Sequence, residues 1–269
     1  MDMTLYVDPP CSGTENMARD EWCMEQAIAS GRPIVRLYGW DRLTLSLGRA
    51  QKLDGELDLA ACQALGIPLV RRATGGRAVL HGADLTYSVS APFAGTPFKG
   101  GIMDVYRALS QVFLHFFRGL GLHPQVHAYS GRQRVALASA NCFATPSAFE
   151  ILIDGRKLVG SAQRLRAAGF LQHGSIPLSP QTETLSRIYV GLSQAQVERQ
   201  MTDLGTLGVW RAGAELALQA GLVRAFEAVL DARLLPGHWD AAARARVAEL
   251  AAGYPLHEAG ELTGLTRTA

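Results

Sequence analysis

An α+β fold with a mostly antiparallel sheet flanked by helices is what this sequence predicts, and three observations carry that expectation. Short stretches alternate apolar and polar residues with period two, as in Leu85-Thr86-Tyr87-Ser88-Val89-Ser90. Asp154-Gly155 stands between two strand-like stretches, the strongest short hairpin signal a sequence carries. Strands and amphipathic helices neither alternate strictly nor segregate, and no internal repeat is visible.

Taken in order, Met17, Met24 and Ile28 fall at helical spacing between Asn16 and Ala29, and Asp20 and Glu21 load the N-terminal half as a helix dipole favours. This helix is expected to stop at Gly31-Arg32-Pro33. Ile34–Tyr38 and Leu43–Leu47 read as strands, the second alternating Leu43, Leu45 and Leu47 with Thr44 and Ser46. A short helix near Leu57–Leu65 precedes Pro68–Arg72, the glycine turn Thr74-Gly75-Gly76, and strands over Ala78–His81 and Leu85–Ser90. Ile102, Tyr106, Leu109, Phe113, Phe116 and Leu120 step by three and four and predict a core helix. Phe149–Ile153 and Arg156–Ser161 flank the hairpin turn, and Phe170–Leu178 adds a strand. Helices over Gly213–Leu230 and Asp240–Ala252 complete the chain.

With 269 residues, 48% of them hydrophobic, the chain has enough material for one large domain, or one domain with a small appendage. Pro236-Gly237 offers the boundary: a main domain over residues 1–235 and a helical extension over 236–269. Lys plus Arg number 26 against 24 Asp plus Glu, and a net charge of +2 is no nucleic-acid footprint. The N-terminus shows no basic segment followed by an apolar stretch, and no 18 apolar residues run uninterrupted, so a soluble cytoplasmic protein with no membrane contact is expected, and it is taken to be a monomer. Cys11, Cys23, Cys62 and Cys142 are irregularly spaced, with neither a disulfide framework nor a zinc pattern. Each is either core filler or a reactive thiol.

Four segments hold the candidate chemistry. Arg71-Arg72-Ala73-Thr74-Gly75-Gly76-Arg77-Ala78-Val79-Leu80-His81 joins two glycines, which let backbone N–H groups approach a ligand, to three arginines and a histidine. It is either an anion or acyl-carbonyl cradle, or a tight turn with solvated arginines. Cys142 sits in the polar, proline-containing stretch Ser139–Ser147, as a nucleophile or a buried thiol. In the hairpin, Ile153 pairs with Arg156 and Leu152 with Lys157, so Lys157 shares a face with Val159, Ser161, Leu152 and Glu150; its ammonium either snorkels or does chemistry, with Glu150 as a partner. His81 and His173 lie in strand-like segments beside glycine, as acid–base groups or as hydrogen-bonded structural histidines.

Five segments in register resemble the lipoate–protein ligase and octanoyltransferase superfamily, related to biotin protein ligases, over roughly residues 12 to 235. They are Ser12–Ala18, Ser46–Gln51, Arg71–His81, Gly155–Gln163 and Gln172–Ser175. Asn141-Cys142-Phe143-Ala144-Thr145-Pro146-Ser147 is similar to the cysteine segment of LipM-type octanoyltransferases, and the ATP-dependent ligases lack that cysteine. Gly75-Gly76-Arg77 also resembles the transferases, since ligases commonly carry a third glycine there. Phe149, where tyrosine is common, and Ala148, where the family is often bulkier, are small departures.

The resemblance implies a biotin/lipoate protein ligase-like catalytic domain, with no metal and no ATP, that moves an octanoyl group from acyl carrier protein to a lysine of a lipoyl domain or glycine cleavage H protein. Cys142 becomes the nucleophile and Lys157 the group that ionises it or later accepts a proton, with His173 or His81 as the fallback base. Arg72, Thr74, Gly75, Gly76, Arg77, Ala78 and His81, with Gly160, Ser161, Ala162, Gln163, His173 and Gly174, become the substrate-binding set around an apolar octanoyl tunnel. Arg72, Arg77 and Arg156 are candidates to steer an acidic acyl carrier protein. An ATP-dependent lipoate–protein ligase, and an amidotransferase moving octanoyl between lipoyl proteins, remain the rival readings.

Overall fold

Strand β1 (Asp2–Val7) leads into helix α1 (Gly13–Ser30), which begins where the Ser12 hydroxyl accepts from the Glu15 backbone N–H and ends where Gly31 turns left-handed at φ 73°. Then follow β2 (Ile34–Tyr38), β3 (Thr44–Leu47), α2 (Leu59–Ala64), β4 (Leu69–Arg71), β5 (Val79–His81) and β6 (Asp84–Pro92). The middle of the chain holds α3 (Ile102–Gly119), β7 (Gln125–His127), β8 (Glu150–Ile153), β9 (Arg156–Arg166) and β10 (Gly169–Pro177). The rest comprises α4 (Thr182–Ile188), α5 (Gln194–Gln200), α6 (Glu215–Leu230), β11 (Arg233–Pro236), α7 (Ala241–Ala251), β12 (Leu256–His257) and α8 (Ala259–Leu262). This computed structural model describes residues 1–53, 55–98, 101–127 and 150–262. Cys142 and the segment expected around it lie outside the described residues.

The strands form two sheets, one of eight in the order β11-β1-β2-β6-β10-β9-β8-β7 and one of four in the order β12-β4-β3-β5. Among the described strands β1 runs parallel to β2 and β11, and β3 to β4, while the other pairings are antiparallel, as the sequence predicts. The β8–β9 turn carries Asp154 and Gly155 at φ 50° and 73°, the left-handed pair that a two-residue hairpin requires. Helices α3 and α6 bury Phe113, Phe117, Leu222 and Phe226 against Val35, Tyr87, Val89 and Phe170 of the large sheet. Helix α1 contacts β2, β6 and β10, and α7 packs on α1.

The period-two reading is correct in spacing, but the polar residues do not face water. Along β3, Leu45 and Leu47 join one apolar cluster while Thr44 and Ser46 are also buried. Along β6, Tyr87, Val89 and Ala91 enter the main core, and Thr86, Ser88 and Ser90 are equally inaccessible. A sheet covered on both faces has no solvated side, so buried hydroxyls such as those of Ser46, Thr86 and Ser88 bond within the protein, to His81, Asp84 and Asp20. Those partners make up the candidate site.

Two further expectations are refined. Asp20, read as an acidic residue that the helix dipole favours, is fully buried on the inner face of α1 with Met17, Cys23 and Met24, so its partners are protein groups. The pairs Ile153–Arg156 and Leu152–Lys157 form as read, but the register then slips, so that Ile151 pairs with Val159. This bulge sends Val159 into the core with Ile151 and removes it from the face that Lys157 shares with Glu150.

Candidate functional site

A cavity of about 250 Å³ opens between the two sheets. Its walls bring together Arg72, Gly76, Arg77, Ala78, His81, Lys157, Gly160, Ser161, Ala162, His173 and Gly174, residues 102 positions apart at the extremes of the chain segment they span. Met17, Leu80, Leu158, Leu185 and Met201 add apolar surface, as an acyl chain requires.

The loop between β4 and β5 is held by backbone approach and by one guanidinium. A Cβ on Gly48 would meet the Gly76 carbonyl oxygen at 1.9 Å, so the chain just after β3 touches the glycine loop where Gly48 has no room for a side chain. Gly76 itself has φ 89°, a conformation that glycine adopts without strain. Arg72 donates through Nη2 to the carbonyls of Gly75 and Arg77 at 2.7 and 2.8 Å. Its Nη1 donates to the Ser46 carbonyl and hydroxyl at 2.8 and 3.2 Å, and its Nε to the Thr74 hydroxyl at 3.1 Å. All five N–H donors are therefore committed within the protein. Arg72 is buried, and burial lowers its pKa to about 10. It is removed from the docking surface expected for it, because a saturated internal guanidinium has no donor left for a partner. Arg77 instead reaches outward to Glu56 at 2.6 Å, and Arg156 is half-buried.

Two buried histidines stand behind this loop. His173 lies 2.9 Å from Asp20 through Nδ1 and 2.6 Å from the Thr74 hydroxyl through Nε2. His81 repeats the arrangement, with Asp84 at 2.9 Å from Nδ1 and the Ser46 hydroxyl at 2.9 Å from Nε2, and it stacks on Trp40 at 4.0 Å between centroids. Burial pulls the His173 pKa below its ordinary value, although Asp20 opposes it. Burial would raise the Asp20 carboxyl, but the His173 hydrogen bond and the Arg36 charge outweigh it and leave the pKa lowered. Asp84 is lowered likewise, with His81 overcoming desolvation. Both nitrogens of each ring are thus hydrogen-bonded within the protein, and both rings reach the cavity wall. Lys157 reaches the same wall: its Nζ is 2.5 Å from Glu150, and its side chain is 17% exposed.

A family model for the lipoyl protein ligase A/B catalytic domain matches residues 12–209. The chain belongs to that lipoyl protein ligase A/B family. Among its relatives, octanoyltransferase LipM of Kyrpidia tusciae is 39% identical over 266 residues, covering 92% of this chain and 94% of the relative. Octanoyltransferase LipM of Carboxydothermus hydrogenoformans is 40% identical over 189 residues, 70% of this chain and 69% of the relative. A lipoate-protein ligase A structure bound with ATP shares the fold at a TM-score of 0.76 and 21% identity, covering 94% and 95% of the two chains. A bi-partite lipoate protein ligase of Thermoplasma acidophilum shares it at a TM-score of 0.75 and 20% identity, covering 94% and 92%.

In this lipoyl protein ligase A/B chain, three of the expected binding residues stand off the cavity wall. Thr74 is buried against His173, Gly75 gives its carbonyl to Arg72, and Gln163 is bonded to Gln172 at 2.6 Å. Sequence reading missed Asp20, Arg36, Ser46 and Asp84. Arg36 is fully buried in β2, bonded to Asp8 at 2.6 Å and Asp20 at 2.9 Å. Two signals point to them: Asp20 lies three residues after Met17 on the apolar helix face, and Arg36 interrupts an otherwise apolar strand.

Proposed function

We propose that this protein is an octanoyltransferase of lipoate biosynthesis, taking octanoyl from octanoyl-acyl carrier protein and passing it to a lysine of a lipoyl domain or H protein through a thioester on Cys142. What carries the reading is an apolar cavity walled by Lys157 and the glycine loop in a chain 39% identical to a LipM octanoyltransferase over nearly its whole length.

In the first step the Cys142 thiolate attacks the donor carbonyl carbon, the tetrahedral intermediate collapses, and the carrier leaves as its thiol after taking up a proton. One thioester replaces another, so no ATP is consumed. A free cysteine of pKa about 8.5 is only a few per cent thiolate at pH 7, and the Lys157 ammonium supplies positive charge for it. In the second step the acceptor lysine attacks the Cys142 thioester carbonyl as a neutral amine, the carbon–sulfur bond breaks, Cys142 leaves as its thiolate, and the nitrogen gives up a proton to leave the amide. Deprotonating a group of pKa about 10.4 at pH 7 costs roughly 4–5 kcal/mol, which the Lys157–Glu150 pair helps to meet by relaying the proton. Arg77 and Arg156 favour an acidic carrier.

Intact-protein mass after mixing with octanoyl-acyl carrier protein tests this. An octanoyl adduct labile to neutral hydroxylamine is expected on the wild type and not on Cys142→Ser. No adduct at high donor concentration, together with pyrophosphate release from ATP and lipoate, would sink the reading in favour of a ligase.

A further inference from the structure

Arg72 is a buried cation with no carboxylate in contact among the described residues, yet its charge is not abandoned. Two hydroxyls and two histidines lead from it to two buried aspartates, and the direction of every hydrogen can be worked out. Asp20 accepts four bonds, from Arg36 Nη1, Ser88 Oγ, Tyr38 Oη and His173 Nδ1. Asp84 also accepts four, from Gly82 N, Thr86 Oγ1, Ser175 Oγ and His81 Nδ1. A carboxylate only accepts, so both rings carry their proton on Nδ1 and leave Nε2 as an acceptor. The hydroxyls of Thr74 and Ser46 each already accept from Arg72 and therefore donate to those Nε2 atoms. Two chains of the same polarity result, Arg72→Thr74→His173→Asp20 and Arg72→Ser46→His81→Asp84.

We propose that Asp20 and Asp84 are positioning residues: by fixing the Nδ1–H form of His173 and His81, they orient the Thr74 and Ser46 hydroxyls and so the guanidinium that holds the Gly75 and Arg77 carbonyls of the glycine loop. Neither aspartate lines the cavity, and each acts at three removes. An Asn in place of either can donate to Nδ1, which moves the ring proton to Nε2 and sets it against a hydroxyl hydrogen. Arg72 then loses an acceptor and the loop shifts. This rests on the octanoyl-transfer reading for its kinetic consequence alone.

The test uses protein labelled with ¹⁵N in its histidines and glycines. The wild type is expected to show two imidazoles protonated on Nδ1, one of which passes to the Nε2–H form in Asp84→Asn, with the Gly75 and Gly76 amide signals displaced. Ser110→Ala, which removes a bond to the Arg107 carbonyl within α3 and belongs to neither chain, should leave those signals and the transfer rate near wild type. In Asp84→Asn, kcat for octanoyl transfer should fall about 100-fold, the scale of a misplacement near 1 Å, with KM little changed. Asp84 touches no guanidinium, so this variant should fold; Asp20→Asn is the parallel case for the second chain. Absence of Nδ1-protonated rings in the wild type, or unmoved Gly75 and Gly76 signals in Asp84→Asn, would overturn the proposal. An inactive wild type with the expected tautomers and displaced signals would uphold it and count against the octanoyl-transfer reading alone.

Discussion

Adding one methyl group at Gly48 probes the tightest backbone approach in the candidate site. In Gly48→Ala the new Cβ would stand 1.9 Å from the Gly76 carbonyl oxygen, whereas ordinary contact begins at 3.4 Å, so the two backbones must part by the difference, about 1.5 Å. The loop cannot yield that much and keep its bonds. Arg72 holds the Gly75 and Arg77 carbonyls at 2.7 and 2.8 Å, and the Arg49 N–H holds the Thr74 carbonyl at 2.8 Å. A displacement of that size takes hydrogen bonds beyond useful range. Two lost bonds at about 1 kcal/mol each, with overpacking of about 1 kcal/mol or more, give a destabilisation of about 3 kcal/mol. The loop forms the cavity wall, so octanoyl transfer should fall by about 100-fold in kcat/KM. Urea unfolding and transfer kinetics measure both effects. Gly119→Ala is the matched control, since a Cβ there meets nothing within 4 Å, and it should be neutral or slightly stabilising. A Gly48→Ala protein within threefold of wild-type activity, and less than about 1 kcal/mol less stable, would refute the claim that the loop is held rigidly.

Three further outcomes follow from the buried charges. Arg36→Met leaves Asp8 and Asp20 buried without their guanidinium and should cost about 3–5 kcal/mol in urea unfolding; a loss below about 1 kcal/mol would show that water enters to replace it. His173 has a lowered pKa in the folded chain, so the unfolded chain takes up the proton first and stability should fall as pH drops through about 6.5, with Asp20 and Asp84 adding losses below their usual range. The urea midpoint should therefore drop between pH 7 and pH 5 in the wild type and less in His173→Gln, and equal drops would remove His173, with its Asp20, Arg72 and His81 surroundings, from the account. Trp40→Phe deletes the Nε1–H bond to Thr86 and reduces the stack on His81, for a loss of about 1–2 kcal/mol by thermal unfolding; an unchanged Tm would mean that Thr86 finds another donor.

Much of this fold was legible because it rests on local pattern. The stepping of Tyr106, Leu109, Phe113 and Phe116 fits α3, and the boundaries of β2 agree residue for residue. Strands β1 and β11 were not legible because neither buries its residues in clean alternation, and each gains its stability from neighbours remote in sequence. In the candidate site, glycines and cavity-lining residues were legible as motifs. The aspartates were not, since the burial that gives Asp20 its role is created by Arg36, Tyr38, Ser88 and His173, which come from three different strands. Polar alternation along β3 and β6 looks the same whether the polar side meets water or a second layer.

The pairing of β1 with β11 has a consequence for biogenesis. Asp2 is bonded to Arg233 across 231 residues, so the outer partner of β1 is translated long after β1 itself. At ordinary elongation rates that interval is roughly 10–50 s, during which the nascent chain carries an unclosed strand edge. The charge of Asp2 on that edge, later matched by Arg233, makes it a poor template for stray strand addition while the ribosome finishes the chain.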